Sequence, residues 1–217
     1  MTSDIAEFTL EPVAGGPLIP FTPGAHVTVR TPSGAMRRYS LLGDGEAPQS
    51  YRIAVKRETD SRGGSASMHD AATEGAELLV EPPENDFELV EAPEYLLIAG
   101  GIGITPIYAM AEALDRQGKP FRLIYLTRSA GGTAYAEELQ AAFGDRLTLH
   151  HDEGKEENFY DFWDDFETPT KAHVYCCGPA PLMEEVEAVS GHWPEHAIHF
   201  EDFKPVEVVR ADDVPFE

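Results

Sequence analysis

The chain has 217 residues, with 39 acidic against 16 basic side chains and a formal charge of −23 at pH 7. That balance argues against nucleic acid and anionic membrane surfaces, which both call for Lys and Arg; a solvated surface or a basic partner remains. With 42% hydrophobic residues the chain can bury the core of one large domain or two small ones. The two cysteines, Cys176 and Cys177, are neighbours. They make no disulfide framework, which suits a reducing cytoplasm, and two cannot supply the four ligands of an iron–sulfur cluster. No basic region followed by an apolar stretch opens the chain, and no apolar run approaches the ~20 residues of a membrane span. A cytoplasmic protein without leader or anchor is expected.

In chain order, short β-like segments come first. Residues 8–10, 26–30, 37–42, 51–55 and 77–80 alternate or carry β-branched side chains. Turn signals separate them at Gly15-Gly16-Pro17, Thr22-Pro23-Gly24, Pro32-Ser33-Gly34 and Pro82-Pro83. One helix-like stretch, 65–72, interrupts the strands. The pattern predicts a small antiparallel barrel over residues 1–92. Over residues 93–203 strands (95–99, 121–126, 147–150, 173–177, 197–200) alternate with helices (106–117, 136–143, 159–166, 180–189). That alternation predicts a parallel sheet covered on both faces. Residues 204–217 read as a linker.

Four constellations could carry chemistry. In the first, Gly100-Gly101-Ile102-Gly103-Ile104-Thr105-Pro106 follows an apolar strand and opens a helix. Glycines let backbone approach a pyrophosphate, and a helix start offers free N–H groups and positive dipole. Thr105 is expected to cap that helix and Pro106 to sit in its first turn. A tight turn without ligand is the alternative. The second is Tyr175-Cys176-Cys177-Gly178-Pro179, at a strand's carboxyl end, where α/β sheets bind ligands. Cys176 and Cys177 must point to opposite faces, so at most one meets a site, and buried thiols are often inert packing. The third is Arg37-Arg38-Tyr39-Ser40. Arg37 and Tyr39 share one face of a strand, Arg38 and Ser40 the other. Arginine for a phosphate, tyrosine for an aromatic ring and serine for a hydrogen bond would serve a flavin; an ordinary exposed strand can read the same way. The fourth is Arg62-Gly63-Gly64-Ser65-Ala66-Ser67, a second anion site at a helix start or a plain capped loop.

Other features give less. His150 and His151 lack a metal-ligand spacing and read as ordinary strand-end histidines, and no metal site is expected. Phe159, Trp163 and Phe166 fall at helical spacing and read as core beneath an acidic face. No G-x-S-x-G or Ser/His/Asp pattern supports a hydrolase.

In this order, Arg-x-Tyr-Ser at 37–40, Gly-Gly-Ser at 63–65, the glycine-rich run at 100–106 and Cys-Gly-Pro at 177–179 resemble the ferredoxin–NADP reductase superfamily. Within it, the reductase components of Rieske-type oxygenases are the closer match. The resemblance runs from about residue 4 to 203 and includes Ile53-Ala54-Val55-Lys56-Arg57, His150-His151-Asp152, Gly191-His192-Trp193-Pro194 and His199-Phe200-Glu201-Asp202-Phe203. It implies an FMN-binding β-barrel over 1–92 and an NAD-binding α/β domain over 93–203. It implies an NADH-dependent flavoprotein oxidoreductase that passes electrons through FMN to a [2Fe–2S] ferredoxin or a Rieske-type oxygenase. A reductase for a haem protein or free flavin, or a non-catalytic flavin- and nucleotide-binding subunit, are the alternatives.

Carried over by motif, Arg37 would hold the flavin phosphate, Tyr39 pack on the ring and Ser40 approach the reacting nitrogen. Lys56, Arg62, Gly63, Gly64, Ser65 and Ser67 would complete the flavin site. Gly101, Gly103 and Thr105 would receive the NADH pyrophosphate, with Cys177, Gly178 and Pro179 bordering the nicotinamide and Phe203 covering the flavin face. Ser40, Cys177 and Phe203 are thus the expected catalytic set. FMN is expected over FAD because Arg37 and the 63–67 turn converge on one terminal phosphate and no aromatic-rich segment offers to hold an adenine. NADH is expected over NADPH because the charge disfavours a 2′-phosphate; Arg128 is the residue that could invert this. The family pattern would place a further barrel strand before Ser3 and a ferredoxin domain after residue 217, so an external [2Fe–2S] carrier is expected.

Overall fold

The computed structural model describes residues 1–58 and 63–203; Arg62 and the expected linker 204–217 lie outside them. The alternating segments form strands β1 (Ile5–Leu10), β2 (His26–Arg30), β3 (Met36–Ser40) and β4 (Tyr51–Lys56). Helix α1 (Gly64–Ala71) and the two-residue strand β5 (Leu79–Val80) follow. All ladders here are antiparallel, β1 with β4 and β3–β2–β5, and a bridge between Leu42 and Arg52 ties the two sheets together. They enclose one core of Ala25, Val27, Val29, Leu41, Tyr51, Ile53 and Val55, which Met68 of α1 closes. The strand pleat turns alternate residues outward. On β1 and β4 these are Ile5, Glu7, Arg52 and Ala54, and Ile5 and Ala54 join the core of the following half.

That half runs β6 (Glu94–Gly100), α2 (Ile104–Arg116), β7 (Phe121–Thr127), α3 (Ala136–Phe143), β8 (Leu147–His151), α4 (Trp163–Phe166), β9 (Ala172–Cys177), α5 (Ala180–Val189) and β10 (Ile198–Glu201). The five strands form one parallel sheet in the order β10–β9–β6–β7–β8. Central β6 is an unbroken apolar run because both its faces are covered. Leu97 and Ala99 pack with Ile107, Met110 and Leu114 of α2, while Leu96 and Ile98 pack with Phe162, Phe166, Val186 and Trp193. From β6 the chain proceeds to β7 and β8 on one side, then returns to β9 on the other. This reversal makes a topological switch point between the turns that follow β6 and β9.

Two expectations need correction. Helix α2 starts at Ile104, straight out of a 3₁₀ turn at Gly101–Gly103, so Thr105 lies inside its first turn and Gly103 occupies the cap position. The Thr105 hydroxyl donates to the Ile102 carbonyl at 3.1 Å instead of capping. In the acidic segment the buried pair is Phe162 and Phe166, whereas Phe159 and Trp163 are 58% and 61% exposed. The backbone becomes helical only at Trp163, so a helical count begun at Phe159 does not apply. No helix among the described residues is long and apolar enough to cross a membrane.

Candidate functional site

The glycine-rich turn sits at the carboxyl end of β6, against the turn that ends β9. A Cβ on Gly103 would lie 2.2 Å from the Cys177 carbonyl oxygen, and one on Gly178 would lie 3.0 Å from the Gly100 Cα. These glycines are small because two backbones meet there. Gly103 has an ordinary helical φ of −60°. Gly101 differs: its φ is +54° and a Cβ there would meet nothing within 4 Å. Gly101 is therefore the position where open backbone faces outward, in the left-handed region that favours glycine. Its carbonyl accepts a 3.1 Å bond from the buried Tyr125 hydroxyl, which anchors the turn to β7. Pro179 begins the entry to α5, and Arg128 is exposed just beyond β7.

Cys176 and Cys177 are both buried and split between the two faces of the sheet. Burial pushes the Cys176 thiol up to about 12. Burial, then the neighbouring Glu201, Cys176 and Asp202, push the Cys177 thiol well above the usual range.

A second constellation forms in the antiparallel half. Arg37 lies on the face of β3 that meets the start of α1: a Cβ on Gly64 would fall 2.9 Å from its Nε. The guanidinium also donates to the Met36 carbonyl at 2.7 Å. Helix α1 starts from Gly63, whose φ is +86°. The Ser67 hydroxyl donates to the Gly64 carbonyl at 2.8 Å and accepts from the Ser33 N–H at 3.2 Å, which braces this turn against the β2–β3 hairpin. Ser65 accepts from the Glu58 N–H at 3.1 Å, and Lys56 pairs with Glu58 at 3.3 Å. On the same face as Arg37, the Tyr39 hydroxyl is buried with no hydrogen-bond partner among the described residues. Burial pushes it up to about 12, and nearby Arg37 opposes this. A buried hydroxyl without a partner is costly unless something else supplies one.

Glu201 is the last residue of β10. It stands opposite Cys177 in register, and its Oε2 is buried without a partner among the described residues. Burial and Asp86 raise its carboxyl to about 7, while Arg38 of β3 pulls the other way. Arg38 itself donates to Asp86 at 3.3 Å. Ser40 is buried opposite His26 on this side of β3, and Phe203 is partly exposed just past Glu201. Sequence reasoning did not single out Glu201, because one acid among 39 carries no signal until the fold buries it. His150 and His151 are engaged locally, with the Asn158 carbonyl at 2.6 Å and the Thr127 hydroxyl at 2.8 Å.

Comparison with known proteins bears on the family and the fold. The family described as oxidoreductase NAD-binding domain matches residues 97–188. The phthalate 4,5-dioxygenase oxygenase reductase subunit of Pseudomonas putida is 47% identical over 206 residues, 93% of this chain and 64% of that protein. Phthalate dioxygenase reductase of Burkholderia cepacia is 44% identical over 217 residues, 98% of this chain and 67% of its own length. A solved phthalate dioxygenase reductase, described as a modular structure for electron transfer from pyridine nucleotides to [2Fe–2S], superposes with a TM-score of 0.88 at 44% identity, covering 93% of this chain and 64% of that one. An intact type IV self-sufficient cytochrome P450 monooxygenase also gives 0.88, at 34% identity, over 94% of this chain and 26% of that one. The chain thus spans about two thirds of the length of its reductase relatives. On sequence and fold, the chain belongs to the ferredoxin reductase-like oxidoreductase family that includes phthalate dioxygenase reductase.

Proposed function

We propose that this chain is an NADH-dependent flavoprotein oxidoreductase that passes electrons through FMN to a [2Fe–2S] carrier serving a Rieske-type oxygenase. The observation that carries the reading is the cradle on β3, where Arg37 lies against the glycine start of α1 beside the Tyr39 hydroxyl, buried without a partner among the described residues. A phosphate between guanidinium and helix start would receive charge-assisted bonds and helix dipole. A flavin ring on the same face would give Tyr39 both a stacking surface and a polar neighbour. Residues 1–92 then form the flavin half and 93–203 the nucleotide half.

In this reading Arg37, Gly63, Gly64 and Ser65 hold the phosphate, with Lys56 assisting, and Ser67 braces their turn; Arg62, assigned to the same site on sequence, lies outside the described residues. The open backbone at Gly101 and the start of α2 receive the NADH pyrophosphate. Cys177, Gly178 and Pro179 border the nicotinamide as neutral, water-excluding surface. Ser40 and Phe203 flank the flavin. Bound flavin accepts a hydride and releases electrons singly; position and electrostatics are what the protein adds. The surrounding acids disfavour a 2′-phosphate, which supports NADH, with exposed Arg128 as the opposing cation. These 217 residues hold only Cys176 and Cys177, so the four ligands of a [2Fe–2S] carrier would have to come from outside them, and a cytoplasmic setting suits both thiols. Likeness to the self-sufficient cytochrome P450 favours a haem protein as the second acceptor class.

Acid release of the flavin followed by chromatography tests the cofactor: FMN is expected, and FAD as the main species would refute it. Turnover of a reconstituted Rieske oxygenase is expected only when a plant-type ferredoxin or ferredoxin domain is added. Full turnover without one would overturn the proposed route.

A further inference from the structure

Two described non-glycine residues, Glu153 and Tyr135, have left-handed backbone, and Tyr135 is the bulky, buried one. Tyr135, at the start of α3, has φ +60° and ψ +16°. Left-handed backbone is uncommon for a bulky side chain and persists only where surrounding contacts hold it. Here the contacts cross between the two halves of the molecule. The Tyr135 hydroxyl donates to Glu7 Oε2 of β1 at 2.8 Å. Glu7 in turn accepts both arms of Arg52 from β4, at 3.1 and 2.9 Å. Burial alone would raise the Glu7 carboxyl, but bonds from Arg52 and Tyr135 hold it below its usual range. The Tyr135 ring is buried against Tyr108 of α2, 5.4 Å between centroids.

Tyr135 also terminates a braced loop. Residues 128–135 lead from the carboxyl end of β7, beside the glycine-rich turn. The Thr127 and Thr133 hydroxyls meet at 2.7 Å, and Thr133 donates to the Ser129 carbonyl at 2.9 Å. These bonds tie the two ends of the loop to each other. It starts at Arg128 and Ser129, beside the end of the sheet where a nucleotide would lie, and finishes on a bond to the flavin half.

We propose that Tyr135, through Glu7 and Arg52, is a positioning residue that couples nucleotide bound at the 128–135 loop to the placement of the antiparallel half. The inference rests on the functional reading above. A fixed relation between the halves matters because hydride transfer depends steeply on approach, and a misplacement of about 1 Å can lower a rate roughly 100-fold.

The test uses the flavin-containing full chain and its Tyr135→Phe variant, which keeps the ring and removes the bond. Two quantities are read: the limiting rate of flavin reduction by NADH with its apparent Kd, and amide exchange across Ile5–Leu10 with and without NAD+. In the parent, NAD+ slows exchange in this strand. In Tyr135→Phe that protection is lost and the limiting rate falls by roughly 10- to 100-fold, while Kd and flavin content stay within about threefold of the parent. Glu7→Leu reproduces both effects, the double variant is no worse than either single one, and Glu7→Gln, which keeps an acceptor, restores most of the rate. A Tyr135→Phe protein with parental rate and parental protection overturns the inference and leaves the functional reading intact. A parent whose flavin NADH does not reduce overturns both.

Discussion

Glu201 and Gly103 show how a single position acquires its role from burial and packing. Unfolded, a glutamate ionises near 4.3; folded, Glu201 does so at about 7, because burial and Asp86 disfavour its charge. Between those values the unfolded chain binds fewer protons than the folded one, so stability falls as pH rises. Glu201→Gln removes this fall. The variant should match its parent at pH 4 and exceed it by at most about 4 kcal/mol at pH 8, read from denaturant melts at the two pH values; an equal difference at both would contradict the assignment. The sequence suggests Gly103 as part of a ligand turn, and the structure shows that its missing side chain admits the Cys177 carbonyl. Gly103→Val should therefore lower stability by roughly 1–3 kcal/mol as an overpacked site in addition to any loss of NADH. Gly101→Ala meets no neighbour and should cost only the ~1 kcal/mol of a residue forced to positive φ. Thermal unfolding of the two variants separates these cases, and equal losses would refute the distinction.

At the scale of elements, periodicity was a good guide wherever the backbone stayed regular. Strand β6 and helix α2 stand within two residues of their expected bounds, since an apolar run of five and a 3.6-residue stripe each have one reading. The 159–166 segment was misread because two aromatic sets share the same spacing and only the backbone tells them apart. Phe166 packs against Phe162 and Trp193, at centroid distances of 6.1 and 5.4 Å, and its carbonyl accepts the Trp193 indole N–H at 2.9 Å. Phe166→Ala should destabilise by about 3–5 kcal/mol, whereas Trp163→Ala, on an exposed face, should change stability by less than ~0.5 kcal/mol. Chemical denaturation of both variants checks this, and a costly Trp163→Ala would return Trp163 to the core. Short β5 marks another limit: two ladder residues leave little pattern to read.

Across the whole molecule, the existence of an antiparallel half and a parallel half could be read from the change of period near residue 92, but the order of strands could not. Nothing in the run of residues says that β9 returns beside β6, and it is this return that brings Cys177 and Gly178 against the glycine-rich turn. The contacts of Glu7 with Tyr135, distant in sequence, were equally invisible until the fold closed. The packing of Arg37 against α1 and the turn at Gly101 were foreseeable because each depends on local chemistry; the burial of Glu201 was not. The account's central claim is that one flavin, held in the antiparallel half, receives hydride from NADH held in the parallel half. Anaerobic titration of the purified protein with NADH, followed by visible absorption, tests it most directly. The account predicts flavin absorption before titration, bleached to completion by about one equivalent of NADH per flavin, with no iron–sulfur absorption beneath it. A protein purified without flavin that cannot be loaded with it, or one whose flavin spectrum NADH leaves unchanged, would contradict the claim.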